Sequence, residues 1–357
     1  VREEEIFFMC AQKNRKVDER FRPFLDFIKN KRVYLALSGG GLALVCHIAI
    51  IRIIEELGIS VERVYGTSAG SVVGGLYAAG MNSLQLTDAV STLKNPDDLF
   101  GRGSRHMLLR ALKCEFRSFI RGTTGATSIY DGERLERFIT RRLIELFGNV
   151  PRMGDLRIPF SAVAFNVGSG TLGDSAVSSK AVFSTEETPT VSLSDAIVAS
   201  IAIPGVFPAK KINGFYYIDG GVVEHLPIVC AYEDWQKQRR FYEKNLAILA
   251  VNLGYAGDAI QRIENVRPQD MILLTVGILG KALDRSSMLR VHRPRKGSHV
   301  VLVKPRCYDI GLTDFDKIPH AMEKAYTTVK GQLEGEEFMA ETNKDLQKAR
   351  QMLGIDE

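Results

Sequence analysis

The residues best suited to chemistry are one serine and two glycine-rich turns. Ser68 stands in Gly66-Thr67-Ser68-Ala69-Gly70, between a short β-prone run at 61–65 and a small-residue stretch of helix length at 71–80. A serine on a sharp strand-to-helix turn needs neighbours without bulk, because backbone crowds it from both sides. Gly66 and Gly70 meet that need, and Ala69 lies between the serine and the second glycine. Such a turn lifts the hydroxyl clear of the sheet, over a helix N-terminus whose free N–H groups favour developing negative charge. The chemistry implied is nucleophilic attack by Ser68. A bare GxSxG arises often by chance, and the strand and helix on either side give this one its meaning.

The second turn is Ser38-Gly39-Gly40-Gly41, after a β-prone run at 33–37 and before another helix-length segment. Consecutive glycines let backbone N–H groups converge on an oxyanion, as a tetrahedral intermediate demands. Other uses of a glycine turn fit less well. A P-loop needs Lys-Ser or Lys-Thr after the glycines, and none follows; a dinucleotide fingerprint needs a third glycine where Leu44 stands. Gly39, Gly40 and Gly41 are therefore expected to supply oxyanion donors beside Ser68.

A nucleophilic serine needs a base. Of the six histidines (His47, His106, His225, His292, His299 and His320), none late in the chain lies in the glycine-rich or turn setting that would mark a triad member. They are read as surface or packing residues. Asp219-Gly220-Gly221 is the better candidate: it follows Phe-Tyr-Tyr-Ile at 215–218, which puts a carboxylate at a strand end with glycines beside it. A carboxylate within reach of the hydroxyl can take its proton when burial raises its basicity. Standing alone, an Asp-Gly pair is most simply a hairpin turn.

To bring these turns together the chain must form a parallel sheet with crossovers. From 33 to 80 the pattern runs strand, tight turn, helix, strand, tight turn, helix, with Gly58 closing the first helix. Residues 1–32 alternate charged clusters with aromatics and read as a helical segment. Residues 82–150 read as mostly helical cover. Strand-like segments return at 158–165, 181–184, 215–218, 246–251 and 299–303, and 315–353 closes as charged amphipathic helix. No linker interrupts 33–310. The expectation is one α/β catalytic domain over 33–310, with helical segments at 1–32 and 311–357.

A chain of 357 residues, 45% hydrophobic, is ample for a sizeable core. A net charge of +5 is too small and too dispersed to imply a nucleic-acid partner. Five scattered cysteines without a CxxC pair argue against a disulfide framework or zinc site and point to a reducing compartment. Metal-binding spacings such as HExxH are absent from the sequence, so no metal or other cofactor is expected. No window approaches the ~18 apolar residues of a spanning helix, and no basic-then-apolar leader opens the chain. A cytoplasmic protein is expected. Between 102 and 121, basic residues from Arg102 to Arg121 interleave with Met107, Leu108, Leu112, Phe116 and Phe119. Such a segment could bring the protein to an anionic membrane surface, although a helix packing its apolar side on the core explains it more simply. The basic cluster at 293–296 reads as a solvated loop.

The run LSGGGLALVCHIAIIRIIEELGISVERVYGTSAGSVVGGLYAAG, followed later by SDAIVASIAIPGVFPAKKINGFYYIDGGVVEHLPI, resembles the patatin-like phospholipases, above all their bacterial branch. The resemblance covers residues 33–233 in order, and more weakly 313–316. It implies a three-layer α/β/α fold around a mostly parallel sheet. It also implies a dyad of Ser68 and Asp219 without a histidine, oxyanion donors from Gly39, Gly40 and Gly41, and supporting roles for Gly66, Gly70, Gly220 and Gly221. Residues 199–208 would form the loop near the acyl group. The implied substrate is a lipid ester (phospholipid, lysophospholipid or neutral lipid), hydrolysed without a metal.

Two departures accompany the resemblance. The family loop reads Gly-Gly-Gly-x-Arg-Gly, or Lys for Arg, whereas Ala43 and Leu44 occupy the last two positions. Ala43 cannot hydrogen-bond through its side chain, and Leu44 cannot take positive φ without strain. The loop is therefore expected to be poorly fixed, and Ala43→Arg with Leu44→Gly to raise kcat at unchanged KM. Glu224-His225 also stands where relatives often carry Asn followed by Pro or Asn. Hydrolysis through an acyl-enzyme is the expected activity. An acyltransferase or thioesterase on the same fold, and a catalytically weak lipid- or protein-binding relative, remain open.

Overall fold

The computed structural model describes residues 18–354, apart from 96–97, 100–127, 129, 131, 170–178, 239–244, 255–267, 294–296, 308–309 and 311–313. The basic segment at 102–121 and most of the 293–296 cluster lie outside the described residues. The first half of the chain runs α1 (Arg22–Ile28), β1 (Lys31–Leu37), α2 (Val45–Leu57), β2 (Arg63–Thr67), α3 (Ala69–Ala79), α4 (Ser83–Ser91), α5 (Glu133–Phe147) and β3 (Phe160–Gly168). It continues through β4 (Ser179–Ser184), α6 (Leu193–Ser200), β5 (Lys210–Ile212), β6 (Phe215–Asp219), α7 (Ile228–Gln238) and β7 (Asn245–Val251). It closes with α8 (Pro268–Val291), β8 (Ser298–Val303), α9 (Ile318–Leu333) and α10 (Ala340–Leu353).

One sheet lies between two helical layers. Its strands follow the order β5-β6-β3-β2-β1-β7-β8, with β4 added on β3. Side chains of a strand alternate between faces, and β1 shows the consequence: Val33, Leu35 and Leu37 enter one core, Tyr34 and Ala36 the other. A strand covered on both faces must be apolar almost throughout. The first core collects α2, α3, α5, α6 and α9; the second collects α7, the end of α8 and Leu346 of α10. The arrangement is three-layered, as expected. The helices α6 and α8 and the short strand β5 were not legible in the sequence. No helix among the described residues is long and apolar enough to cross a membrane.

The pairing of β3 decides where the turns meet. β2 pairs with its first half in parallel, ending with Thr67 opposite Val163. β6 pairs with its second half antiparallel, ending with Asp219 opposite Ala164. Because β4 occupies one side of β3 from Ser161 to Asn166, β2 and β6 must share the other. Two strands of opposite direction therefore stop head to head on adjacent residues. Ser68 leaves the end of one, and Asp219 is the end of the other. On the other flank, Leu37 of β1 pairs with Gly66, so the glycine loop begins alongside the serine turn.

That loop is better organised than its sequence suggested. Leu44 adopts right-handed helical backbone (φ −44°, ψ −34°), while Gly40 (φ 157°) and Gly41 (φ 59°) take the conformations that would strain a side chain. Leu42 and Ala43 are buried in the first core. Neither Ala43 nor Leu44 takes a positive φ there.

Two expectations follow from this packing. A Cβ on Gly70 would lie 2.1 Å from the Leu37 carbonyl oxygen, and one on Gly220 would lie 2.2 Å from that of Val163. Both neighbours are backbone and cannot swing aside, so Gly70→Ala or Gly220→Ala should lower stability by ~1–3 kcal/mol, read as a lower calorimetric Tm. Gly331→Ala, in α9 with open space around it, should instead add about 0.5–1 kcal/mol. Ala43→Arg with Leu44→Gly would bury a guanidinium among apolar side chains. It should lower both Tm and kcat, and a rise in kcat at unchanged Tm would restore the expectation drawn from sequence.

Candidate active site

Ser68 is the N-cap of α3 and has φ 50°, ψ −121°, a region that non-glycine residues avoid. Its surroundings hold it there. The Ser68 N–H donates to Ser200 Oγ at 3.0 Å, and that hydroxyl donates to the Val163 carbonyl at 2.6 Å. The Ser68 carbonyl accepts from Ser71 N–H (2.8 Å) and Ser71 Oγ (2.6 Å). Thr67 Oγ1 donates to the Glu224 carbonyl at 2.8 Å, tying the serine turn to the turn after Asp219. Gly66 is required here as well, since a Cβ on it would come within 2.5 Å of the Gly70 carbonyl oxygen. The strained turn is thus fixed by backbone, by Ser71 and by Ser200. Ser200 has no sequence signal of its own; its role appears only when α6 packs over β3.

Asp219 is 3% exposed. Its Oδ1 accepts the Gly221 N–H at 2.6 Å, whereas Oδ2 is buried and has no hydrogen bond of normal geometry. Burial pushes the carboxyl up to about 6, against the nearby Ser68 hydroxyl, the Gly221 N–H and His225, which all favour the charged form. Ser68 and Asp219 line the same cavity, and the serine hydroxyl favours the ionised form of the carboxyl. A carboxylate in this state is a stronger base than one in water.

The three glycines divide. Gly39 N–H donates to the His225 carbonyl at 3.1 Å, so it is not available to an oxyanion, contrary to its expected role. Gly40 precedes and Gly41 opens a short 3-10 turn (Gly41–Leu44), where N–H groups have no intrahelical acceptor. All three glycines line a cavity of about 40 Å³ with Ser68, Asp219, Gly221, Ile203 and His225. Behind the loop, Ser38 Oγ donates to the Gly39 carbonyl (2.8 Å) and accepts from Leu253 N–H (3.0 Å). His47 Nε2 lies 2.9 Å from the Ser38 carbonyl, which can only accept, so Nε2 carries the proton. Burial lowers that imidazole to about 4, which keeps it neutral at ordinary pH.

The histidines do not all follow the surface-or-packing reading. His320 is exposed, and His106 lies outside the described residues. His225, however, is buried in the wall of the same cavity as Ser68, with Nδ1 3.2 Å from Asp284 Oδ2. Its place in the turn that begins at Asp219 was the available signal. Asp284 had none, since it lies in the helix α8 that the sequence did not reveal. Among the described residues, no group of three or more His, Cys, Asp or Glu could hold a metal ion.

The sequence pattern of the patatin-like phospholipases matches residues 35–232, which contain all three turns. Lysophospholipase NTE1 of Scheffersomyces stipitis is 26% identical over 231 residues, 65% of this chain and 12% of that protein. An uncharacterised NTE family protein of Mycobacterium bovis is 31% identical over 197 residues, 55% of this chain and 44% of that protein. The chain thus spans less than half the length of these relatives. Among solved structures, VipD from Legionella pneumophila aligns with a TM-score of 0.43 at 12% identity, over 85% of this chain and 67% of that one. That likeness is too slight to bear on function. The family pattern, by contrast, covers more than half of the residues and includes the serine turn, the glycine loop and Asp219: the chain belongs to the patatin-like phospholipase family.

Proposed function

We propose that this protein is a serine lipid acyl hydrolase, with Ser68 as nucleophile and Asp219 as its base. The observation that carries the reading is the buried Asp219 carboxyl, raised in basicity, with an unbonded oxygen beside a serine held at positive φ. Ser68 Oγ attacks the ester carbonyl while its proton passes to Asp219. The oxyanion accepts from the Gly40 and Gly41 N–H groups near the N-terminus of α3. Collapse expels the alcohol, which takes the proton from Asp219 and leaves the acyl group on Ser68. Asp219 then takes a proton from water as the water attacks the acyl-enzyme. Collapse returns that proton to Ser68 and frees the fatty acid.

A lysophospholipid is the substrate to try first, because a relative bears that activity in its name. Ile278 and Leu279 are exposed beside Val276 and Gly277 of the cavity wall, which suits approach to a lipid surface and peripheral contact with a membrane. Cys46, Cys230 and Cys307 are buried thiols outside any disulfide, in keeping with a reducing, cytoplasmic setting.

Ser68→Ala and Asp219→Asn should each lower kcat/KM on p-nitrophenyl butyrate by about a thousandfold or more, with Tm showing that the fold persists. His225→Ala should retain activity well above both. Equal loss in His225→Ala with an intact fold would replace the dyad by a triad. Fatty acid released from lysophosphatidylcholine, rather than acyl transfer to an added alcohol, separates hydrolase from transferase.

The raised Asp219 gives two opposite pH dependences. Catalysis needs the carboxylate, so kcat/KM should fall as pH drops through about 6. Stability changes the other way. The folded value lies above the ordinary 3.8, so the fold tolerates the neutral acid below about pH 4 and bears the cost of a buried charge as pH rises through about 6. Asp219→Asn should therefore be more stable than wild type at neutral pH, an advantage that vanishes at about pH 4. Equal Tm differences at the two pH values would show that the carboxyl is not raised.

A further inference from the structure

The glycine loop lacks an internal basic residue, yet contacts from outside hold it. Gly39 N–H donates to the His225 carbonyl at 3.1 Å. A Cβ on Gly39 would sit 3.0 Å from His225 Cδ2 and 3.2 Å from Nε2, so one edge of the imidazole rests against the loop. The other edge is tied down: His225 Nδ1 lies 3.2 Å from Asp284 Oδ2. Asp284 is 5% exposed in α8. Its Oδ1 accepts the Leu226 N–H at 3.1 Å, and its Oδ2 accepts Asn252 Nδ2 at 3.1 Å.

Asn252, just past β7, carries the connection back to the loop. Its Oδ1 accepts the Gly254 N–H at 2.9 Å. The residue between them, Leu253, donates its N–H to Ser38 Oγ, and its side chain fills the space that a Cβ on Gly40 would need. The contacts close a circuit from the glycine loop through His225, Asp284 and Asn252 to Leu253 and the loop again. Three donors converge on one buried carboxylate, which makes it a stiff anchor rather than a casual ion pair.

We propose that His225 and Asp284 are a positioning pair: they clamp the glycine loop from outside, so that the Gly40 and Gly41 N–H groups face the oxyanion formed on Ser68. The catalytic consequence rests on the hydrolase reading above; the effect on the loop rests on the geometry alone. Aim at the oxyanion matters in the transition state more than in the bound substrate, so a slack loop lowers kcat rather than raising KM.

The test uses the full chain, two substitutions and two readouts. Asp284→Asn keeps shape but offers one acceptor oxygen to three converging donors, so a pairing is lost. His225→Gln removes the ring and keeps the carbonyl that receives Gly39 N–H. On p-nitrophenyl butyrate each should lower kcat about tenfold or more with KM within about twofold, part of the 10²–10³ lost with a whole oxyanion donor. Amide hydrogen exchange over residues 38–44 should quicken in both, while exchange in β1, β2 and β3 stays as in wild type. If Asp284→Asn does not fold, His225→Gln carries both readouts.

Wild-type kcat and wild-type loop exchange in the variants would overturn the proposal. So would a fall in kcat confined to His225→Gln with unchanged exchange, which would make the ring a participant in the chemistry. If the wild-type protein hydrolyses no ester, the hydrolase reading fails, and loop exchange still decides whether the pair clamps the loop.

Discussion

Two strands of opposite direction, ending head to head on one side of β3, set the geometry on which the site depends. The pairings of Thr67 with Val163 and Asp219 with Ala164 bring the serine turn and the carboxylate together by backbone hydrogen bonds alone. The same point of the sheet receives further constraints. The Val163 carbonyl accepts the Ser200 hydroxyl and presses close on Gly220, so the supports of Ser68 and Asp219 share one peptide group. Such a site is built on rigid elements, and its precision derives from ladder geometry rather than from loop packing.

Burial then turns proximity into chemistry. Taking a carboxylate out of water raises its basicity, and the same dry surroundings strengthen every N–H aimed at developing charge. Opposing groups keep the effect within bounds: the Ser68 hydroxyl, the Gly221 N–H and His225 all favour the ionised form of Asp219, and burial outweighs them. That balance is what the proposed role of Asp219 as base requires, since a base must both accept a proton and give it back within one turnover. His47, neutral and fully buried, serves the loop without adding charge.

The glycine loop shows how a motif and its environment share one task. Within the loop, Gly40 and Gly41 accept backbone shapes closed to other residues, while Leu42 and Ala43 sink into the core. Outside it, Ser38, Leu253, His47 and His225 supply the contacts. The sequence pattern counted the absence of Arg and Gly as a loss of order, because a pattern records only the residues of the loop itself. The contacts on the loop come from the chain just past β7 and from the turn after β6, and α8 touches that turn through Asp284.

Much of the site was legible in the chain because its signals are local. A serine between small residues, a glycine run after a strand and an Asp-Gly-Gly after another each announce a turn, since only particular residues tolerate that backbone. Alternating and helical apolar patterns likewise announced seven of the eight strands and a layered α/β fold. Pairing across the sheet left no such trace. No residue in the chain states that β2 and β6 share β3, that α6 brings Ser200 to the Ser68 N–H, or that α8 carries Asp284 to His225. Those relations join residues distant in sequence, and they are fixed by burial and hydrogen bonding among whole elements. For the same reason, Gly39 looked equivalent to Gly40 and Gly41 until the His225 carbonyl was seen to take its N–H. The sequence by itself determined which turns could do chemistry; only the tertiary structure decided which of their atoms are turned toward it.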